Sequence, residues 1–193
     1  VIKTITITNE GEVPIPASCF PTTTNPGNYG INNVTFNAIN NTTNLATEGN
    51  KDFTCTQTTT IVEGILYPIT ILTNNLYNEN VKVWLDINND GILSSDEVIF
   101  TSNNKLRTHN GNILIPSGAT LNTPLRMRVG SDMSSYSLAS SCNNNYGQYE
   151  DYTVTILENN LPPEVDFSAD FNTIRIGDSI NFKDNTLNAP TTW

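Results

Sequence analysis

The sequence predicts an all-β chain built as an antiparallel β-sandwich, on three observations. Asn and Thr make up about 30 % of the 193 residues, well above ordinary usage; Thr suits a pleated, half-buried surface and Asn suits turns. Short runs that alternate apolar and polar residues recur roughly every 8–12 residues with turn residues between them, the spacing of a sandwich. No segment has the 3.6-residue apolar period and the length of an ordinary helix. A hydrophobic fraction of 37 % is enough to fill a core between two sheets.

The elements follow in order. Val1–Thr8 alternates as a strand and the next residues are punctuated by Gly and Pro, so residues 1–16 read as a leading strand or linker. Ile31–Ile39 and Thr56–Val62 are strand candidates. Gly64–Leu72 carries Pro68, which points to an edge strand or a strand start. Val81–Asp86 is a clear strand: Val81, Val83 and Leu85 share one face, and Lys82, Trp84 and Asp86 the other. Glu97–Thr101, Asn112–Pro116 and Leu125–Gly130 follow, with Asn110-Gly111 a turn signal. Tyr149–Leu157 closes a unit spanning residues 17–157. At 158–164 the alternation stops in a Pro-Pro linker. Residues 165–193 then begin a second β pattern (Val165–Ala169, Ile174–Ile176, Ile180–Phe182), too short to bury a sizeable core alone.

Residues 86–97 match the calcium-loop pattern D-x-[DN]-x-[DN]-G-x5-E at every specified position. Asp86, Asn88 and Asp90 place side-chain oxygens at loop positions 1, 3 and 5, and Gly91 stands where the chain turns sharply. Ile92 offers its carbonyl, Ser94 a hydroxyl or a water, and Glu97 two carboxylate oxygens. Strands rather than helices flank the loop, so the expectation is a Ca²⁺ ion clamping a loop between two strands. The competing reading is an Asx-rich turn held by its own side-chain hydrogen bonds.

The net charge of −10 repels nucleic acid and anionic membranes, so neither is an expected partner. No run of about 18 apolar residues is present to form a membrane helix. The chain starts at Val1 without a signal peptide and reads as a mature piece of a larger precursor. Calcium-loop character and scarce Lys suggest a secreted, extracellular setting, where one disulfide among Cys19, Cys55 and Cys142 persists. All three pairings remain open on the residues alone.

No catalytic constellation emerges. His109 is the sole histidine, in a turn-like run, and is expected in a solvated loop without a nucleophile beside it. Glu150 and Asp151 are neighbours on a strand and so point to opposite faces, unable to share one substrate proton. Glu150 falls with Tyr152, Val154 and Ile156 on the expected core face, where a carboxylate needs a partner: Arg126, Arg128, backbone amides or the calcium. Trp84 is expected to fill the core or lie half-buried, with an exposed contact for sugar rings or proline-rich chains as the alternative; Tyr146 and Tyr149 are candidate contacts of the same kind, with Tyr29 and Tyr136 equally placed.

Several of these segments together resemble the GEVED domain. Val83-Trp84-Leu85-Asp86-Ile87-Asn88-Asn89-Asp90-Gly91 is similar to its "vWiDyNqDG" segment, Leu125–Val129 to its "LRVRm" strand, and Tyr146–Val154 to "yGEVEDYtV". Gln148 and Tyr149 replace the Glu-Val of the name motif, while Glu150 and Asp151 are retained. Cys19 and Cys142 fall where that family often has cysteines, which favours their pairing over the other two. The tail from Pro163 resembles the first part of a polycystic-kidney-disease (PKD) domain, an immunoglobulin-like sandwich. These resemblances imply a jelly-roll-like sandwich followed by a partial PKD-like fragment. They also imply a non-catalytic module of a secreted Bacteroidota hydrolase, with collagen-like protein or polysaccharide as the polymer it attaches to.

Overall fold

The computed structural model describes residues 12–25, 27–43, 49–160, 162 and 164–186. The strand expected over Val1–Thr8 and the tail Pro190–Trp193 lie outside the described residues. The chain divides into two units, residues 1–157 and 158–193.

Among the described residues the strands of the first unit are β1 (Thr22–Asn25), β2 (Ile31–Phe36), β3 (Ile39–Thr42), β4 (Asn50–Asp52), β5 (Thr58–Val62), β6 (Leu66–Thr73), β7 (Glu79–Leu85), β8 (Val98–Lys105), β9 (Thr108–Leu114), β10 (Pro124–Met133), β11 (Asn143–Tyr146) and β12 (Tyr149–Leu157). One sheet runs β3-β2-β6-β9 and is antiparallel throughout. The other runs β12-β10-β7-β8, with β4 and β5 lying end to end along the free side of β12. These last two pairings are parallel, as is β1 with β11, so the sandwich is not wholly antiparallel.

Two-residue alternation builds the core. Val81, Val83 and Leu85 of β7, Leu125, Met127 and Val129 of β10, and Tyr152, Val154 and Ile156 of β12 point to one face. They meet Val34, Phe36, Ile69, Ile71 and Ile113 of the opposite sheet, all of them buried. Each such side chain contributes about 1.5–3 kcal/mol by leaving water. The outer face of the β12-β10-β7 sheet is covered as well: Trp84 and Tyr149 pack there with Leu93 and Leu138 in a second cluster.

Four sequence expectations are corrected. The Ile31–Ile39 strand is broken by a turn at Asn37 (φ 49°) into the β2–β3 hairpin. β6 is an interior strand, yet Pro68 is tolerated because β2 pairs only as far as Ile69; Pro68 faces β9 alone, opposite Asn112. Asn110-Gly111 is not a turn but lies inside β9, opposite Thr70 and Ile69. Gly111 is needed there because a Cβ would come within 2.8 Å of the Phe100 ring; the chain reverses instead at Leu106-Arg107, with Arg107 at φ 66°. His109 is consequently buried in β9 rather than solvated. Its Nδ1 lies 3.0 Å from the Ser102 hydroxyl and its Nε2 3.4 Å from that of Thr73, and burial pushes its pKa down to about 4.

In the second unit, β13 (Phe167–Ala169) and β14 (Phe182–Asp184) pair antiparallel. Phe167 and Phe182 meet edge to face across this hairpin, both still exposed. The run Ile174–Ile176 ends in a turn rather than forming a strand.

Candidate functional site

The Asp86–Glu97 loop leaves β7 on the outer side of the sheet and returns through a 3₁₀ turn (Ser95–Glu97) into β8. Its carboxylates fold onto its own backbone. The amides of Asp90 and Gly91 donate to the two oxygens of Asp86 (3.0 and 2.9 Å), and that of Ile92 to Asp90 Oδ1 (2.7 Å). Asn88 Oδ1 accepts from the Asp90 amide, while its Nδ2 donates to Asp90 Oδ2. Glu97, last in the loop, reaches back to the beginning: the Ile87 amide donates to Oε1 (3.1 Å) and the Ser94 amide to Oε2 (2.9 Å). Asp86 and Glu97 are buried, Ser94 half-buried, and Asn88, Asp90 and Ile92 exposed. Burial pushes the Asp86 carboxyl up, and the Gly91 and Asp90 amides oppose it.

The donor set suits a hard cation in kind and order: every predicted ligand atom is oxygen, and each carboxylate oxygen keeps lone-pair capacity after accepting one amide. Among the described residues, no three His, Cys, Asp or Glu side chains converge in metal-holding geometry. The observed hydrogen bonds are those of an Asx-rich turn, and the chemistry of the donors is the part that fits calcium.

A strap formed by residues 12–21 crosses the loop. Gly91 has φ +78°, and a Cβ on it would lie 2.8 Å from the Pro16 carbonyl oxygen. The Ser18 amide donates to the Gly91 carbonyl at 2.6 Å. Cys19 is disulfide-bonded to Cys142, with Cα atoms 5.9 Å apart, and Cys55 is free and exposed.

Beneath the strap lies a buried ionic cluster. Register pairs Arg128 with Asp151 across β10 and β12, and the pair is bidentate, Nε and Nη2 donating to Oδ1 and Oδ2 at 2.6 and 2.7 Å. Arg128 Nη1 donates to the Ser141 carbonyl. Arg126 donates to Asp151 at 2.8 Å and reaches Asp52 at 3.4 Å. So Asp151, not Glu150, takes both arginines. Glu150 lies on the core face as parity requires, fully buried, accepting from the Thr43 and Tyr152 hydroxyls; burial raises its pKa to about 7.

Residues 80–155 match the GEVED domain model. The matched segment runs from β7 to β12 and contains both the loop and the Arg126–Arg128–Asp151 cluster. GEVED domains are small accessory domains rather than known catalytic ones. No curated protein matches the chain. The two positions that depart from the name motif are both buried in this chain. Gln148 is buried and its Oε1 accepts from the Ile31 amide. Tyr149 fills space over Gly130, where a Cβ would be 2.7 Å from its ring, and its hydroxyl donates to the Ser140 carbonyl.

Of the aromatic candidates, Trp84 takes the buried of its two readings, and the expectation of Tyr149 as a ligand contact is corrected. Trp84 and Tyr149 are buried (1 % and 0 % exposed) in the second cluster and cannot serve as platforms. Tyr146 is half-buried and meets Tyr29 and Tyr136. Sequence reasoning missed Glu79, although its parity with Val81, Val83 and Leu85 signalled burial. Its Oε2 accepts from the Gly30 amide at 3.0 Å, and its Oε1 has no well-directed partner among the described residues. Tyr77, which stacks on Tyr29, was missed for want of any pattern around it.

Proposed function

We propose that the chain is a non-catalytic, calcium-stabilised accessory module of a secreted Bacteroidota hydrolase, a peptidase first of all, and that it attaches the enzyme to an insoluble extracellular polymer such as collagen. In this reading Asp86, Asn88, Asp90, Ile92, Ser94 and Glu97 hold the ion, and residues 165–193 open a PKD-like domain of a larger precursor. The observation that carries it is the all-oxygen loop, whose last carboxylate folds back beside its first residues. An ion there supplies charge that ties the two ends of the loop together, and binding to the folded state alone raises stability by mass action. The arginine cluster plays no part in chemistry: its carboxylate is saturated by cations on the outer sheet face.

The test is a calcium titration of the melting temperature. Millimolar Ca²⁺ is expected to raise it, excess chelator to reverse the rise, and Glu97→Gln to abolish the calcium-dependent part. A melt identical with and without calcium overturns the metal. Sedimentation with insoluble collagen and with insoluble polysaccharides tests attachment; failure to bind any of them leaves the module a spacer.

A further inference from the structure

We propose that Tyr77, Tyr29, Tyr146 and Tyr136, together with the groove beside Tyr136, form a binding site for a neutral polysaccharide chain. The proposal rests on the attachment reading above and gives it a place and a ligand chemistry. The four tyrosines come from separate parts of the sequence, and the sandwich brings them into one row. Ring centroids are 5.1 Å apart for Tyr77–Tyr29, 5.6 Å for Tyr29–Tyr146 and 5.4 Å for Tyr146–Tyr136. Tyr77 and Tyr136 are 49 % and 37 % exposed, and the inner two are half-buried.

Their hydroxyls set them apart from the other tyrosines. The Tyr67, Tyr149 and Tyr152 hydroxyls each bond within the fold. None of the row's four has a hydrogen-bond partner among the described residues. The row therefore offers ring faces and four uncommitted donor–acceptor groups.

The groove continues it. It measures ≈ 640 Å³ and is walled by Thr101, Asn103, Ser134, Ser135 and Ser137 beside Tyr136, with Lys82 the one charged side chain lining it among the described residues. Asn78, next to Tyr77, donates to the groove residue Asn104 at Oδ1, and its carbonyl accepts from the amide of the groove residue Ser134, so the row meets the groove at Tyr136 and the segment after Tyr77 is tied to its wall.

This chemistry selects among polymers. A pyranose presents flat C–H faces to aromatic rings and hydroxyls that both donate and accept, matching walls of hydroxyls and amides that do the same. A proline-rich chain presents backbone carbonyls and few donors, leaving the acceptors of the walls unmet. An anionic glycan is repelled by the net charge of −10.

Affinity electrophoresis of the full chain in gels containing barley β-glucan, galactomannan, xyloglucan or polygalacturonate is the test, alongside sedimentation with insoluble collagen. At least one neutral polysaccharide is expected to retard the chain. Tyr77→Ala and Tyr136→Ala should each weaken that retardation about tenfold while the chain stays folded, its melting temperature lowered by only a few degrees through the lost ring contact. Ser135→Trp, on an exposed loop, should block the groove while leaving the row intact. Binding only to collagen or polygalacturonate overturns the ligand class while attachment stands. Retardation unaffected by all three substitutions overturns the site, and binding to nothing overturns site and attachment together.

Discussion

Glu79 shares its parity on β7 with Val81, Val83 and Leu85, so the pleat that buries three aliphatic side chains buries a carboxyl as well. Burial raises its pKa from 4.5 to about 8. An acid raised in the folded state binds more protons folded than unfolded, so its contribution to stability is complete below about pH 4.5 and is lost as pH rises through about 8. Glu150, raised to about 7, has the same sign. His109, lowered from 6.5 to about 4, has the opposite sign, but its gain is complete by pH 6.5. Of these three groups only the glutamates titrate above that point. Stability is therefore expected to fall between pH 6.5 and 8, and Glu79→Gln should flatten the fall by up to ~1.4 kcal/mol per pH unit. Urea midpoints of the two proteins across that range decide it; parallel profiles would mean that Glu79 does not titrate there. At this scale the sequence was legible wherever parity alone decides. It placed Glu150 on the core face and Asp151 on the other. It left the arginines open between acids although parity was enough: Leu125, Met127 and Val129 face the core, which puts Arg126 and Arg128 on the outer face with Asp151, and the β10–β12 register adds only that Arg128 stands directly opposite it.

The hairpin loop between β7 and β8 was the most legible element, since its spacing specifies residue types position by position. What the sequence could not supply was the strap above it. Contact between residues 16–18 and 91 is set by tertiary path, not by motif. That contact gives Gly91 two reasons to be glycine: a left-handed φ of +78° and a Cβ position 2.8 Å from the Pro16 oxygen. Gly118 has only the first, at φ +84° with nothing within 4 Å. Gly118→Ala is expected to cost about 1–2 kcal/mol from backbone strain. Gly91→Ala should cost distinctly more, about 2–4 kcal/mol, because the strap must also shift. Equal losses in denaturant midpoints would show that the strap does not press on the loop in solution. The Asn110-Gly111 dipeptide shows the converse failure. Its local signal was strong, yet the glycine serves the Phe100 ring and a mid-strand position, because packing outweighs turn propensity.

For the whole first unit, the sequence conveyed a sandwich because alternation and turn spacing recur along most of it. The parallel seams β12–β4, β12–β5 and β1–β11 were hidden, since period-two patterns read the same in either direction. The pairing of Cys19 with Cys142 belongs to this scale. It joins residues 123 apart, fastening the strap to the segment before β11 and closing a loop that holds most of the unit. A chain-entropy account gives a cross-link of this span about 5 kcal/mol through the unfolded state, and disulfides typically deliver about 2–4 kcal/mol. Reduction, or Cys19→Ser with Cys142→Ser, is therefore expected to lower the melting temperature by roughly 4–16 °C for a domain of this size. Cys55→Ser should leave it unchanged, because that thiol is exposed and outside the bridge. If reduction moves the melt no more than Cys55→Ser does, then the strap is held by the Ser18–Gly91 hydrogen bond and its packing rather than by sulfur, and the closed loop adds nothing to the fold.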